Sequence, residues 1–121
     1  MEYKTKINLA LKDFSEGKAE IAYNKLKLIF NKNKDDDQLR FNIAVIAQSL
    51  NYNDEAKKNY NFLIIKKNDH KAAVNLYLLY IKEDNFIKAL EIINKLIKQR
   101  TQDYNIIKDK AFVLYKLNQH N

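Results

Sequence analysis

Residues 70–99 read HKAAVNLYLLYIKEDNFIKALEIINKLIKQ, and this stretch decides the fold. Ala89, Ile93, Leu96 and Ile97 fall at i, i+4, i+7 and i+8, the spacing that puts apolar side chains on one face of a helix. Asp84 and Asn85 break the apolar pattern, so the stretch predicts two helices, 70–83 and 86–99, joined by a tight turn. The same arrangement recurs upstream. Ala22, Leu26, Ile29 and Phe30 repeat the spacing, as do Ala56, Tyr60, Leu63 and Ile64, while Phe41, Ile43, Ala44, Val45, Ile46 and Ala47 make a wide apolar face. Ala22, Ala56 and Ala89 are separated by 34 and 33 residues, and Ala10, Ala44, Tyr77 and Ala111 by 34, 33 and 34. A fixed period of this length marks a stack of repeated supersecondary units. It predicts pairs 3–15 with 18–31, 37–50 with 54–67 and 70–83 with 86–99, followed by a lone helix over 103–117. The repeats run over about 3–34, 37–68 and 70–101 of one domain, 1–121.

The punctuation agrees. Gly17, Asn51 and the pair Asp84 and Asn85 stand where a left-handed residue ends the first helix of each pair. Asp35, Asp36 and Asp37 precede the second unit, Asp69 the third and Thr101 the last helix, as N-caps do. Lys66, Lys67, Lys98 and Arg100 crowd helix C-termini, where the dipole favours cations.

Composition sets the outer bounds. The 121 residues contain no Pro, Cys or Trp and one Gly. Without Cys there is no disulfide framework, thiolate metal site or cysteine nucleophile. Scarce Gly and Pro argue against an all-β chain and remove every glycine-rich phosphate loop. No apolar run spans a bilayer, and the N-terminus lacks the pattern of a signal peptide, so a cytoplasmic address and no membrane partner are expected. A formal charge of +7 raises the question of nucleic acid, but only Arg40 and Arg100 carry the bidentate fork that phosphate and base readers favour. The basicity reads as lysine-rich helix surface. Only His70 and His120 could serve a histidine site, and neither has further ligands at helical spacing; His70 is expected to be solvent-exposed or capping. The paired carboxylates Asp54 and Glu55, and Glu83 and Asp84, sit at helix starts or turns, where the dipole explains them better than acid–base chemistry. No catalytic residues, cofactor or metal are expected.

In these residues the chain resembles the tetratricopeptide repeat family, whose pattern is W-x2-L-G-x2-Y, A-x3-F and P over 34 residues. Leu9, Ile43 and Leu76 hold the leucine place, with Lys110 in the last helix. Ala10, Ala44 and Ala111 hold the small place, with Tyr77 in the third unit. Tyr80 keeps the tyrosine, whereas Asp13, Ala47 and Leu114 replace it. Ala22, Ala56 and Ala89 keep the alanine, and Leu26, Tyr60 and Ile93 stand in the aromatic place. The Trp place (Lys6, Arg40, Ala73, Ile107) and the Pro place (Lys34, Asn68, Thr101) are lost.

The resemblance implies an all-α, right-handed superhelical stack whose concave face is lined by the first helix of each pair. Expected there are Ile7, Leu11 and Phe14; Phe41, Asn42, Val45 and Gln48; Lys71, Val74, Asn75, Leu78 and Ile81; and Phe112 and Tyr115. So apolar a face reads either as a groove for an amphipathic helix or extended apolar peptide, or as packing between successive first helices. Some relatives clamp a peptide carboxylate with Lys, Arg and Asn. Asn42, Lys71 and Asn75 match parts of that set, but Ile7 and Leu11 replace two others. In the last helix, Ile106, Ile107, Ala111, Leu114 and Leu117 are expected to pack back on the third unit. Phe112, Val113 and Tyr115 leave apolar surface that could dock another copy, giving a homo-oligomer, or another protein. The expected function is thus a non-catalytic protein-interaction scaffold. The alternatives are a basic helical-repeat protein that binds nucleic acid, with Phe41, Asn42 and Asn75 faintly like RNA-reading repeats, and a regulatory subunit of a separately encoded enzyme.

Overall fold

The computed structural model describes residues 2–99 and 103–119. Arg100, Thr101 and His120, named above as a C-terminal cation, a cap and a tail histidine, lie outside the described residues. The described residues form α1 (Glu2–Ser15), α2 (Ala19–Asn31), α3 (Asp37–Ser49), α4 (Asn53–Lys67), α5 (His70–Lys82), α6 (Phe86–Gln99) and α7 (Tyr104–Gln119), with no strand among them. Each predicted helix is present, with ends within two residues of the expected ones.

The turns follow one rule. Gly17, Asn51 and Asp84 take positive φ of 85°, 65° and 59°. Around them Lys18, Tyr52 and Asn85 donate their amides to the carbonyls of Asp13, Ala47 and Tyr80, each at 2.8 Å. Gly17, Asn51 and Asp84 themselves donate to Phe14, Gln48 and Ile81 at 3.0 Å. This nested pair is the Schellman arrangement, which satisfies the orphan carbonyls of the first helix and reverses the chain into the second. The opposite joints use carboxylates: Asp36 caps α3 through the Leu39 amide at 2.9 Å, and Asp69 caps α5 through the Ala72 amide at 3.1 Å. For α7 the carboxylate of Asp103 accepts from the Asn105 amide at 3.0 Å, a cap the sequence reading had given to Thr101.

The chain divides into two compact units, residues 1–63 and 64–121. In the first, α1 packs on α2 and α2 on α3. Ala10, Ala22, Leu26, Leu39, Ile43 and Ile46 form its fully buried cluster, with Ile7, Leu11, Phe14, Tyr23, Ile29 and Phe30 partly buried against it. The alanines are there for their size: backbones can approach only where no larger side chain intervenes. Each buried Leu or Ile contributes about 1.5–3 kcal/mol, and this packing, more than propensity, holds helices of 13–15 residues.

Arg40 occupies the lost Trp place and reproduces its shape. Its guanidinium lies 3.7 Å from the Phe62 ring centroid and 4.9 Å from that of Phe30, and it donates to Asn59 Oδ1 at 2.9 Å. A planar cation between two phenyl faces fills a slab-shaped site as an indole would. Burial pushes its pKa below the ordinary value, with the charge of Asp37 opposing.

In the second unit, α5 packs on α6 and α6 on α7. Ala72, Ala73, Leu76, Tyr77, Leu79, Tyr80, Phe86, Ala89, Ile93, Leu96, Ile106 and Val113 are buried. Tyr77, the bulky residue at the small place, extends its hydroxyl to Asp109 of α7. Burial first, and this bond second, push its pKa above the ordinary tyrosine value. The buried face of α7 differs from the expected one. Ile106 is buried as foreseen, but Ile107, Ala111 and Leu114 are exposed, and Val113 is buried in their stead. The reason is geometric: the register of the small place points 107, 111 and 114 towards where the second helix of a pair would lie, and α7 has none among the described residues.

Candidate functional site

The residues expected on the first-helix face fall into both units. In the first unit, Ile7, Leu11, Phe14, Phe41, Asn42, Val45 and Gln48 are all half-buried. Three of them, Ile7, Leu11 and Asn42, line one open groove of about 520 Å³ between α1 and α3, together with Tyr3, Lys4, Asn8, Asp36, Gln38 and Leu39. Ile7, Leu11 and Leu39 give the groove an aliphatic part, and the rest of its lining is amides, a hydroxyl, a carboxylate and the Lys4 ammonium. Tyr3 donates its hydroxyl to Asp36, and desolvation plus this bond push its pKa up to about 12. Asn42 Oδ1 accepts from Gln38 Nε2 at 3.1 Å, which leaves the side-chain Nδ2 as a donor at the groove wall.

Phe14, Phe41 and Gln48 do structural work instead. Phe14 packs against the core cluster. Phe41 meets the buried Tyr60 edge-on at 6.0 Å, and the Tyr60 hydroxyl donates to Gln48 Oε1 at 2.8 Å.

In the second unit, Val74, Asn75 and Ile81 are half-buried, while Lys71, Leu78, Phe112 and Tyr115 are exposed. Leu78 is 43% exposed, and Phe112 contacts Phe86 edge-on at 6.3 Å while remaining 45% exposed. Lys116 Nζ lies over the Phe112 ring, 5.7 Å from its centroid. Of the residues that suggested a carboxylate clamp, Asn42 belongs to the first unit and Lys71 and Asn75 to the second.

A second groove was not anticipated from the sequence. It holds about 660 Å³ between α1 and α2 and is lined by Tyr3, Leu9, Leu28 and Ile29, with Lys6, Lys25 and Lys32 around it. Leu9 is 56% exposed although the same repeat place is buried in the next two helix pairs, as Ile43 and Leu76. The usable signal was positional: the first unit has no preceding helix pair among the described residues to cover that place. Lys25 is held by Asp13 at 2.7 Å, and this bond keeps the Asp13 carboxyl below its ordinary pKa.

Other polar side chains of the first unit tie α2 to the chain that follows α3. Tyr23 donates to Glu55, whose other oxygen accepts from Lys27 Nζ at 2.8 Å, and Tyr52 donates to Glu20 at 3.0 Å. Burial works to raise the Glu55 pKa, but the bonds from Lys27 and Tyr23 outweigh it and leave it lowered. His70 is half-buried with Nδ1 enclosed and without a hydrogen-bond partner. It is neither exposed nor the cap, a role that Asp69 takes. Among the described residues no three His, Cys, Asp or Glu side chains stand together as a metal site, and no helix is long and apolar enough to cross a membrane.

No protein-family model matches the chain, and no curated protein matches its sequence. Solved structures do. A tetratricopeptide repeat protein from Parabacteroides merdae superposes with a TM-score of 0.86 at 20% identity, over 97% of this chain and 46% of that one. A MamA chain from Desulfovibrio magneticus RS-1 gives 0.84 at 15% identity, over 97% and 67%. A further MamA structure gives 0.78 at 13% identity, over 98% and 65%. The chain thus spans about half to two thirds of the structures it resembles. It has a tetratricopeptide-like, all-α helical-repeat fold.

Proposed function

We propose that the chain is a non-catalytic protein-interaction module that takes an apolar peptide or amphipathic helix on the face formed by the first helices of its pairs. The observation that carries this reading is the aliphatic groove of about 520 Å³ in the first unit, floored by Ile7 and Leu11 and edged by Asn42. In the second unit, taken by itself, the first helix α5 exposes Leu78. Apolar anchors with a few amide donors suit a peptide, since the anchors supply burial and the amides fix the backbone. The likeness to tetratricopeptide repeat structures supports a protein partner in general terms.

The test is selection from a displayed peptide library, followed by titration of the recovered peptides. Asn42→Arg and Leu78→Asp should each weaken binding by about tenfold or more, with helical content unchanged. Phe41→Asp is a poor probe, because it also breaks the contact with Tyr60. If both variants bind the selected peptides as tightly as the parent, the face is not the site. If the chain instead binds RNA with an affinity that falls steeply with salt, the nucleic-acid reading replaces this one.

A further inference from the structure

The apolar face left open on α7 is in register with the seam that closes the other helix pairs. At the small place, Ala10, Ala44 and Tyr77 are buried, whereas Ala111 is exposed. Ala73 and Tyr80 of α5 are buried, but their counterparts on α7, Ile107 and Leu114, are 45% and 40% exposed. On α5, Lys88 of α6 reaches over the Tyr80 ring, while the longer Tyr77 side chain extends past this seam to Asp109 of α7. The second helices each bring a fully buried alanine, Ala22, Ala56 or Ala89, to their pairs. Ile107, Ala111 and Leu114, at i, i+4 and i+7, present half of such a seam, left exposed among the described residues.

We propose that this face docks an amphipathic partner helix with a small residue set against Ala111 and acidic residues along its flanks, completing a fourth helix pair. Two observations define the occupant. The established seam fixes its shape: only a helix with a small central residue, flanked by apolar residues at helical spacing, reproduces the close approach made in the other pairs. The charge on α7 fixes its electrostatics. Lys108 and Lys110 flank the face, and the only carboxylate on the helix, Asp109, is engaged by Tyr77. A second copy of this chain suits the face poorly. It carries +7, its second helix α6 has three lysines against one glutamate, and its N-terminal helix α1 is of the first kind. This surface is separate from the first-helix groove, and the proposal does not rest on that reading.

The probe is a fluorescein-labelled peptide with the sequence of α6, Phe86–Gln99, in which Lys88, Lys95 and Lys98 are replaced by Glu. Titrated with the full chain, it should bind saturably by anisotropy. Ala111→Arg and Leu114→Lys, both at exposed positions, should weaken it by about tenfold or more with the circular dichroism unchanged. Leu78→Asp should leave it unaltered, which separates this face from the groove. The parent lysine peptide should bind more weakly. Lack of saturable binding up to millimolar concentration overturns the proposal, as does binding that persists in Ala111→Arg. A dimer of the chain alone, seen by sedimentation and dissociated by Ala111→Arg, would give the face to a second copy and overturn the stated occupant.

Discussion

Helices α5 and α7 belong to the same compact unit and stand one repeat apart, yet they use the same places in opposite ways. On α5, the places held by Ala73, Tyr77 and Tyr80 are buried; on α7, the same places, Ile107, Ala111 and Leu114, face outward. On the other flank they agree: Ala72 and Leu79 of α5 and Ile106 and Val113 of α7 are all buried. A first helix therefore has two apolar seams, one towards its neighbouring pair and one towards its own second helix. Repeat sequence writes both seams whether or not each is filled. Burial is a property of the neighbours, and the seam left exposed on α7 is the face proposed above to take a partner helix.

Substitutions in matched places should break or sharpen this contrast. The largest effect is expected from Leu76→Ala on α5, which leaves a cavity at a site 1% exposed and should cost about 2–5 kcal/mol in urea unfolding. Leu114→Ala on α7 should cost only about 0.5 kcal/mol. Comparable losses would mean that α7 is packed on both sides. Next comes overpacking: Ala44→Leu should cost about 1–3 kcal/mol and Ala56→Leu a similar amount, while Ala111→Leu should leave the melting temperature nearly unchanged. A smaller effect concerns the tie between the two helices. The raised pKa values of Tyr3, Tyr23 and Tyr77 mean that their contributions are fully present below the ordinary tyrosine value and are lost as pH rises through the folded values, about 12 for Tyr3. Alkaline unfolding should thus be blunted in Tyr77→Phe. The lowered Glu55 works in the other direction: its contribution is present above the ordinary glutamate pKa and is lost as pH falls through the lower folded value. Glu55→Gln should flatten the acid limb.

Much of the fold was legible because its determinants are local. Helix spans, the positive-φ residues Gly17, Asn51 and Asp84, and the caps Asp36 and Asp69 depend on a few neighbouring residues. What was not legible depends on partners distant in sequence. Arg40 was read as a lost Trp, although Phe30 and Phe62 supply the two rings that make its plane an adequate substitute. The tyrosine–carboxylate ties were missed, even though Tyr3 and Asp36, Tyr23 and Glu55, and Tyr77 and Asp109 all recur at a separation of 32 or 33 residues. Of the candidate site, Ile7, Leu11 and Asn42 were foreseen and do share a groove, whereas Phe14, Phe41 and Gln48 turned out to support the core. Alternating roles on one helix face cannot be separated by periodicity, because a groove wall and a packing contact use the same residue types.

Because the chain contains no cysteine, a single introduced thiol reports the burial of one place directly. Ala10→Cys, Ala44→Cys and Ala111→Cys place that thiol at the same register position of three first helices. Under native conditions Ala111→Cys should react with a disulfide reagent at the rate of a free thiol, while Ala10→Cys and Ala44→Cys should react only as fast as the surrounding helices open. Equal protection at all three positions would show that the seam on α7 is closed and would contradict the account.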